Sequence, residues 1–166
     1  MVEILVVIGI IVMLSGIVMV GVRSSEKSLL LERSAHQVAN NIRLVLGYTL
    51  QAVPDTLCTG PNFSGYGLRF SDTSPGDSYI FYADCNDNQS YQPSDKIVDT
   101  FELPAGIRIK EVSPSPNFDL TFKPPDPEIF IRTGSLIEGK IVLELISDDT
   151  KTKTITINER GTISID

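Results

Sequence analysis

MVEILVVIGIIVMLSGIVMVGVR, residues 1–23, is the stretch that sets the architecture, and its third letter is the anomaly. From Ile4 to Val22 no residue is charged, and only Gly9, Ser15, Gly16 and Gly21 interrupt the large apolar side chains. Nineteen helical residues rise through roughly 28 Å, close to the thickness of a bilayer's hydrocarbon core. A helix buried in a soluble domain is rarely apolar on every side over this length, so the run reads as membrane-inserted. Glu3 nevertheless places a carboxylate at its tip.

The run is not built as a signal peptide. It has no basic leader segment and no small-residue cleavage site, and the apolar stretch is too long. Arg23, Lys27 and Arg33 follow the span while no Lys or Arg precedes it, which by the positive-inside rule would leave the remainder in the cytoplasm. Cys58 and Cys85, the only cysteines, favour the opposite side, where a disulfide persists. A short basic leader removed from before Met1 reconciles the two, and on that reading the domain lies outside the cell. The net charge is −7; without Glu3 and Arg23, 20 acidic and 13 basic residues remain. An acidic domain with no basic stripe argues against nucleic acid or anionic lipid as its partner.

Past Arg23 the chain continues to Pro54 without a proline. Leu31, Ala35, Val38, Ile42, Val45 and Thr49 recur in steps of four and three, which is one face of a helix, while Glu32, Arg33, Gln37, Asn40, Asn41 and Arg43 take the other side. The pattern predicts one helix from Val2 to Val53, apolar all round over 1–23 and amphipathic over 24–53, followed by a β-rich head over 54–166. Nine short β-type runs lie in that head: Tyr66–Phe70, Tyr79–Ala83, Lys96–Leu103, Ile107–Val112, Phe118–Phe122, Ile129–Arg132, Lys140–Ile146, Thr152–Asn158 and Thr162–Ile165. Turn signals separate them, and KTITINERGTISID (153–166) reads as a hairpin with Gly161 in its turn. The expected fold class is α+β, a long N-terminal helix packed on one antiparallel sheet. The length supports one anchored domain.

Chemistry-bearing constellations are sparse. His36, the single histidine, has Glu32 and Asn40 at helical spacing but no second ligand or nucleophile, and reads as a surface residue. No serine has a histidine partner with an orienting acid, and no glycine-rich phosphate loop is present, so the sequence points away from an enzyme. A Cys58–Cys85 bridge would close a loop of about 28 residues and stabilise by roughly 3–4 kcal/mol; the alternative is two separate buried thiols, and an extracellular head favours the bridge. In DCNDNQSYQPSD (84–95), Asp84, Asn86, Asn88 and Asp95 stand at positions one, three, five and twelve of a calcium loop. Gln89 occupies the place of the usual turn glycine, and Asp95 that of a longer glutamate. Against calcium stands a solvated Asx-rich turn. Asn62 and Asn88 match the glycosylation acceptor pattern.

Glu3 has two readings. An acid in the first turn of a helix is favoured by the macrodipole, by about 0.3–1 kcal/mol at an exposed end. Alternatively, identical helices stacked with an axial stagger would pair Glu3 with a neighbour's amino terminus and so fix the subunit register. Gly9, Gly16 and Gly21 would then permit close helix approach.

The segment MVEILVVIGIIVMLSG (1–16) resembles the N-terminus of type IV pilins and pseudopilins, whose mature chains begin with a methylated phenylalanine and carry a glutamate four residues later. Glu3 stands two positions early, which implies that the phenylalanine and the next residue precede Met1. YGLRF (66–70), YIFYADCND (79–87), ELPAGIRI (102–109) and TITINERGTISID (154–166) are similar in order to the β-domain of H-type pseudopilins and FimT-like minor pilins. Some FimT-like members bind DNA through a basic C-terminal region, whereas here NERGTISID (158–166) carries Arg160 alone. The resemblance implies a structural subunit of a helical filament, held in the membrane before assembly and extracellular afterwards. Other pilins, a prepilin peptidase, an assembly platform and an ATPase are its implied partners. The alternative is a minor pilin or pseudopilin at a filament tip, binding through its loops in adhesion, DNA uptake or secretion.

Overall fold

The computed structural model describes residues 2–51, 58, 63–73, 76–114, 116–124, 128–131 and 138–166, with the side chains of 16–24 excepted. Among the described residues a helix, α1 (Val2–Leu50), precedes nine strands. These are β1 (Gly65–Ser71), β2 (Ser78–Asp84), β3 (Lys96–Glu102), β4 (Ile107–Ser113), β5 (Asn117–Lys123), β6 (Glu128–Ile131), β7 (Glu138–Leu145), β8 (Asp148–Asn158) and β9 (Ile163–Ile165). The expected class, α+β with a helix against antiparallel strands, is the observed one. Residues 52 and 53, the expected end of the helix, and Arg132, the expected end of the sixth strand, lie outside the described residues.

The amphipathic stripe is the seam between helix and head. Leu31, Ala35, Val38, Ile42 and Val45 are all buried, and they share one core with Leu68, Phe70, Phe118 and Leu120 as well as Ile141, Leu143 and Ile155. Two hydroxyls on this stripe are buried without strand partners: Ser34 donates to the Leu30 carbonyl at 2.8 Å and Thr49 to the Val45 carbonyl at 3.1 Å. Each thereby satisfies itself within one helical turn. Asn41 reaches sideways and donates to the Tyr79 hydroxyl at 2.7 Å. Burial pushes that phenol's pKa up to about 12, partly offset by the Asn41 contact, so it stays protonated in any ordinary buffer.

The strands form two sheets where one was expected. The first has the order β3-β2-β1-β5-β6 and the second β4-β7-β8-β9, with every pairing antiparallel. The reason is area. One helix stripe covers only a few strands, and nine in a single layer would leave much of the apolar face of β4, β7 and β8 in water. Folding into two layers lets Ile107, Ile141, Leu143, Ile155 and Ile157 meet the helix and the first sheet in a common core. The chain first changes sheet at Leu103–Gly106, returns to the first sheet between β4 and β5 and leaves it again after β6, and the sheets are tied where the Ile109 N–H donates to the Gly76 carbonyl at 2.6 Å. Strand β8 also begins at Asp148 rather than Thr152, because the β7–β8 turn is tight at Ile146 and Ser147. The polar run DDTK hides that start from an alternation test. The terminal hairpin is as expected, with Gly161 at φ +77° in its turn.

One charged group is buried between β4 and β7. Glu144, 2% exposed, faces Arg108 across the ladder at 2.6 Å and Lys110 at 3.0 Å. Burial alone would raise its pKa, but the two cations prevail and hold the carboxyl below its ordinary value of 4.5. A depressed carboxylate contributes stability that is present above the unfolded value and lost as pH falls through the folded one. Chemical denaturation across pH should therefore show stability dropping below pH 4.5. Glu144→Gln should be less stable than wild type at pH 7 and have a flatter acid limb; an equally steep limb would move the acid sensitivity elsewhere.

Candidate functional site

Among the described residues, the N-terminal part of α1 has no cover. Val2, Ile4, Leu5, Val6, Val7, Ile8, Ile10, Ile11, Val12, Met13 and Leu14 are each more than half exposed, and they point to all sides of the helix. Glu3 is exposed in the first turn, among them. A Cβ built on Gly9 meets nothing within 4 Å, so this glycine answers no packing need inside its own chain. The surroundings of Gly16 and Gly21 fall outside the described residues. Among the described residues no helix is long and apolar enough to cross a membrane. The run Ile4–Val22 that raised that expectation continues into side chains that are not described.

The uncovered region is large in energetic terms. Full burial of one such side chain is worth about 1.5–3 kcal/mol, and contiguous apolar surface on this scale marks an interaction site rather than a finished surface. The second half of the same helix differs: Lys27 Nζ donates to Ser147 Oγ at 3.1 Å and Lys151 Nζ to Ser28 Oγ at 3.2 Å, beginning the contact with the head. His36 is exposed on the outer side of that half.

Cys58 and Cys85 are joined, with 5.5 Å between their Cα atoms. The loop after Cys85 holds itself. Asp84, fully buried, accepts the Asn86 N–H at 3.0 Å and the Gln89 N–H at 2.9 Å. Asn86 accepts from the Asn88 N–H, Asn88 from the Ser90 N–H, and Asp95 from the Cys85 and Gln92 N–H groups. Asp87 and Gln89 have positive φ, of 56° and 61°, which lets the backbone turn around those side chains. All four residues of the calcium spacing thus serve as acceptors for the loop's own backbone, the pattern of successive Asx turns. Among the described residues no group of three or more His, Cys, Asp or Glu side chains is gathered as metal ligands.

This loop lies over the outer face of the first sheet and covers a polar cluster. Ser90 Oγ donates to Asp119 at 2.8 Å, and the Arg69 guanidinium lies 5.3 Å from the centre of the Tyr91 ring. The Tyr82 hydroxyl exchanges a hydrogen bond with Thr121 at 2.9 Å, and its ring lies across Gly67, where any Cβ would collide with it. Burial, above all, drives the Tyr82 pKa far up, and the charges of Asp119, Asp84 and Asp95 add to it. Sequence reading missed this cluster. Its signal was period-two placement: Gly67 with Arg69, and Asp119 with Thr121, on alternate positions of otherwise apolar strands.

Compared with models of known families, with curated proteins and with solved structures, the chain gives no match. The site therefore has to be interpreted from its own chemistry.

Two outcomes are expected from this arrangement. A Cys58→Ser, Cys85→Ser double variant should lose about 3–4 kcal/mol by the entropy of the opened loop, read as a lower denaturant midpoint of the detergent-solubilised chain. Gly67→Ala should cost about 1–3 kcal/mol through displacement of the Tyr82 ring; a melting curve superimposable on wild type would contradict the close approach.

Proposed function

We propose that the protein is a structural subunit of a type IV pilus-like filament that polymerises through its N-terminal helix. The observation that carries this reading is the eleven large apolar side chains of residues 2–14 that no part of the head covers. The helix is one continuous rod over 1–53, whose first half is stored in a membrane and then forms a filament core. Packing copies side by side removes that surface from lipid or water. Helix association in lipid depends on close packing, for which Gly9, Gly16 and Gly21 provide room.

Glu3 gives the assembly its register. Pairing with the amino terminus of a neighbouring copy satisfies a carboxylate that is costly to leave alone in an apolar core, and only one axial stagger allows it. The Cys58–Cys85 bridge supports a head that lies outside the reducing cytoplasm. The acidic balance supports a surface that does not retain nucleic acid. By resemblance, the partners are other pilins, a prepilin peptidase, a platform protein and an ATPase.

Electron microscopy of surface filaments, with mass spectrometry of their bulk subunit, tests the proposal. Filaments built mainly of this chain are expected. Glu3→Ala should enter them at a tenth of the wild-type level or less, about the effect of losing one 1.4 kcal/mol contact. Normal incorporation of Glu3→Ala would remove the register role. Detection only as a rare component would favour a tip-located binding subunit over a structural one.

A further inference from the structure

The outer face of the first sheet carries a recess of about 190 Å³ beside the polar cluster, lined by Arg69, Ser71, Thr73, Gly76, Ser78 and Ile80 among others. Arg69 is held from several directions. Its guanidinium faces the Tyr91 ring at 5.3 Å, and Nη1 donates to the Tyr91 carbonyl at 3.2 Å and to Asp119 at 3.5 Å. Among the described residues these are the only acceptors it meets, so Nε and Nη2 keep their donors. A guanidinium fixed at one edge presents the other as a ready-made fork for a planar anion.

The rest of the lining narrows the ligand. Ser71, Thr73 and Ser78 bring hydroxyl groups to the rim; Ser71 and Thr73 already share a hydrogen bond at 2.6 Å, which orders that side. Ile80, half-buried, adds an apolar wall. Charge disfavours a dianion, since Arg69 is already balanced by Asp119 within a chain of net charge −7, and a single carboxylate would be held by the geometry of the free fork. A sulfate or phosphate dianion needs more positive charge than this, and it has no face to lay on Ile80. A molecule with one carboxylate, several hydroxyls and a C–H face uses the whole lining.

We infer that this recess binds an acidic sugar of the uronate class, with its carboxylate on the free edge of Arg69 and its hydroxyls on the serine and threonine rim. The inference is independent of the filament reading, since it concerns a face of the head remote in sequence from α1.

The test is calorimetric titration of the full-length chain in detergent micelles with sodium D-glucuronate, and with D-glucose, sodium acetate and sodium sulfate in parallel. Glucuronate should bind saturably at one site. Glucose should show no heat of binding, and acetate and sulfate should bind at least about tenfold more weakly. Arg69→Gln should weaken glucuronate by about tenfold or more. Because that variant also disturbs Asp119, Ile80→Glu is the second probe: it keeps Arg69 but sets a carboxylate directly across the β1–β2 pair from it, which should occupy the free fork, repel the ligand and abolish binding while the chain stays folded. The inference is overturned by absent glucuronate binding, by equal binding of acetate or sulfate, or by a folded Ile80→Glu chain that binds as wild type does.

Discussion

The burial of Leu31, Ala35, Val38, Ile42 and Val45 between two sheets is the contact on which the rest of the molecule depends. A helix apolar on one stripe needs a partner layer, and here two layers share it. Without the stripe, the first sheet would expose Leu68, Phe70 and Phe118, and the second Ile141, Leu143 and Ile155. The same contact divides the helix into two kinds of surface. Where it meets the head, one stripe is buried and the charged residues face out, together with Leu29, Leu44 and Leu50. Over Val2–Leu14 no inward direction exists, because the large apolar side chains are more than half exposed on every side of the helix. The exposed stretch Val2–Leu14 thus lies ahead of the described contacts with the head.

Much of this was legible in the letters, for a physical reason. The four-three spacing of Leu31 to Thr49 has only one interpretation as a helix face, and every one of those positions is buried. The strand positions were legible because proline, glycine and Asx residues punctuate them. Strand number does not specify layer number, however. The choice between one sheet and two rests on how far a single helix can cover them, a tertiary quantity that alternation does not encode. The early start of β8 escaped for a different reason: Asp148–Lys151 is polar on both faces at the tip of a hairpin.

The candidate sites differ in the same way. Cys58 and Cys85 had no competing partners, but the count alone also allowed two separate thiols, and the bridge that formed was expected only for a head outside the cell. The spacing of Asp84, Asn86, Asn88 and Asp95 fits two structures, since the residues that ligate a cation are also those that cap turns. The donors nearest to hand are the loop's own N–H groups, and they occupy these oxygens. The Arg69 cluster brings together residues from β1, β2, β5 and the loop over them, with hydrogen-bonded partners up to 50 positions apart in the chain. No local pattern could have assembled it.

The manner in which the helix joins the head has a mechanical corollary. The attachment runs along the flank of the rod, from the Lys27–Ser147 and Lys151–Ser28 contacts to the ring of Tyr48 against Tyr66 and Phe81. A tension applied along the rod therefore loads all of these rungs together, in shear, instead of peeling them one after another. Parallel loading divides the force among the rungs, so the globule should travel with the rod under traction and fail only when the whole flank slips at once.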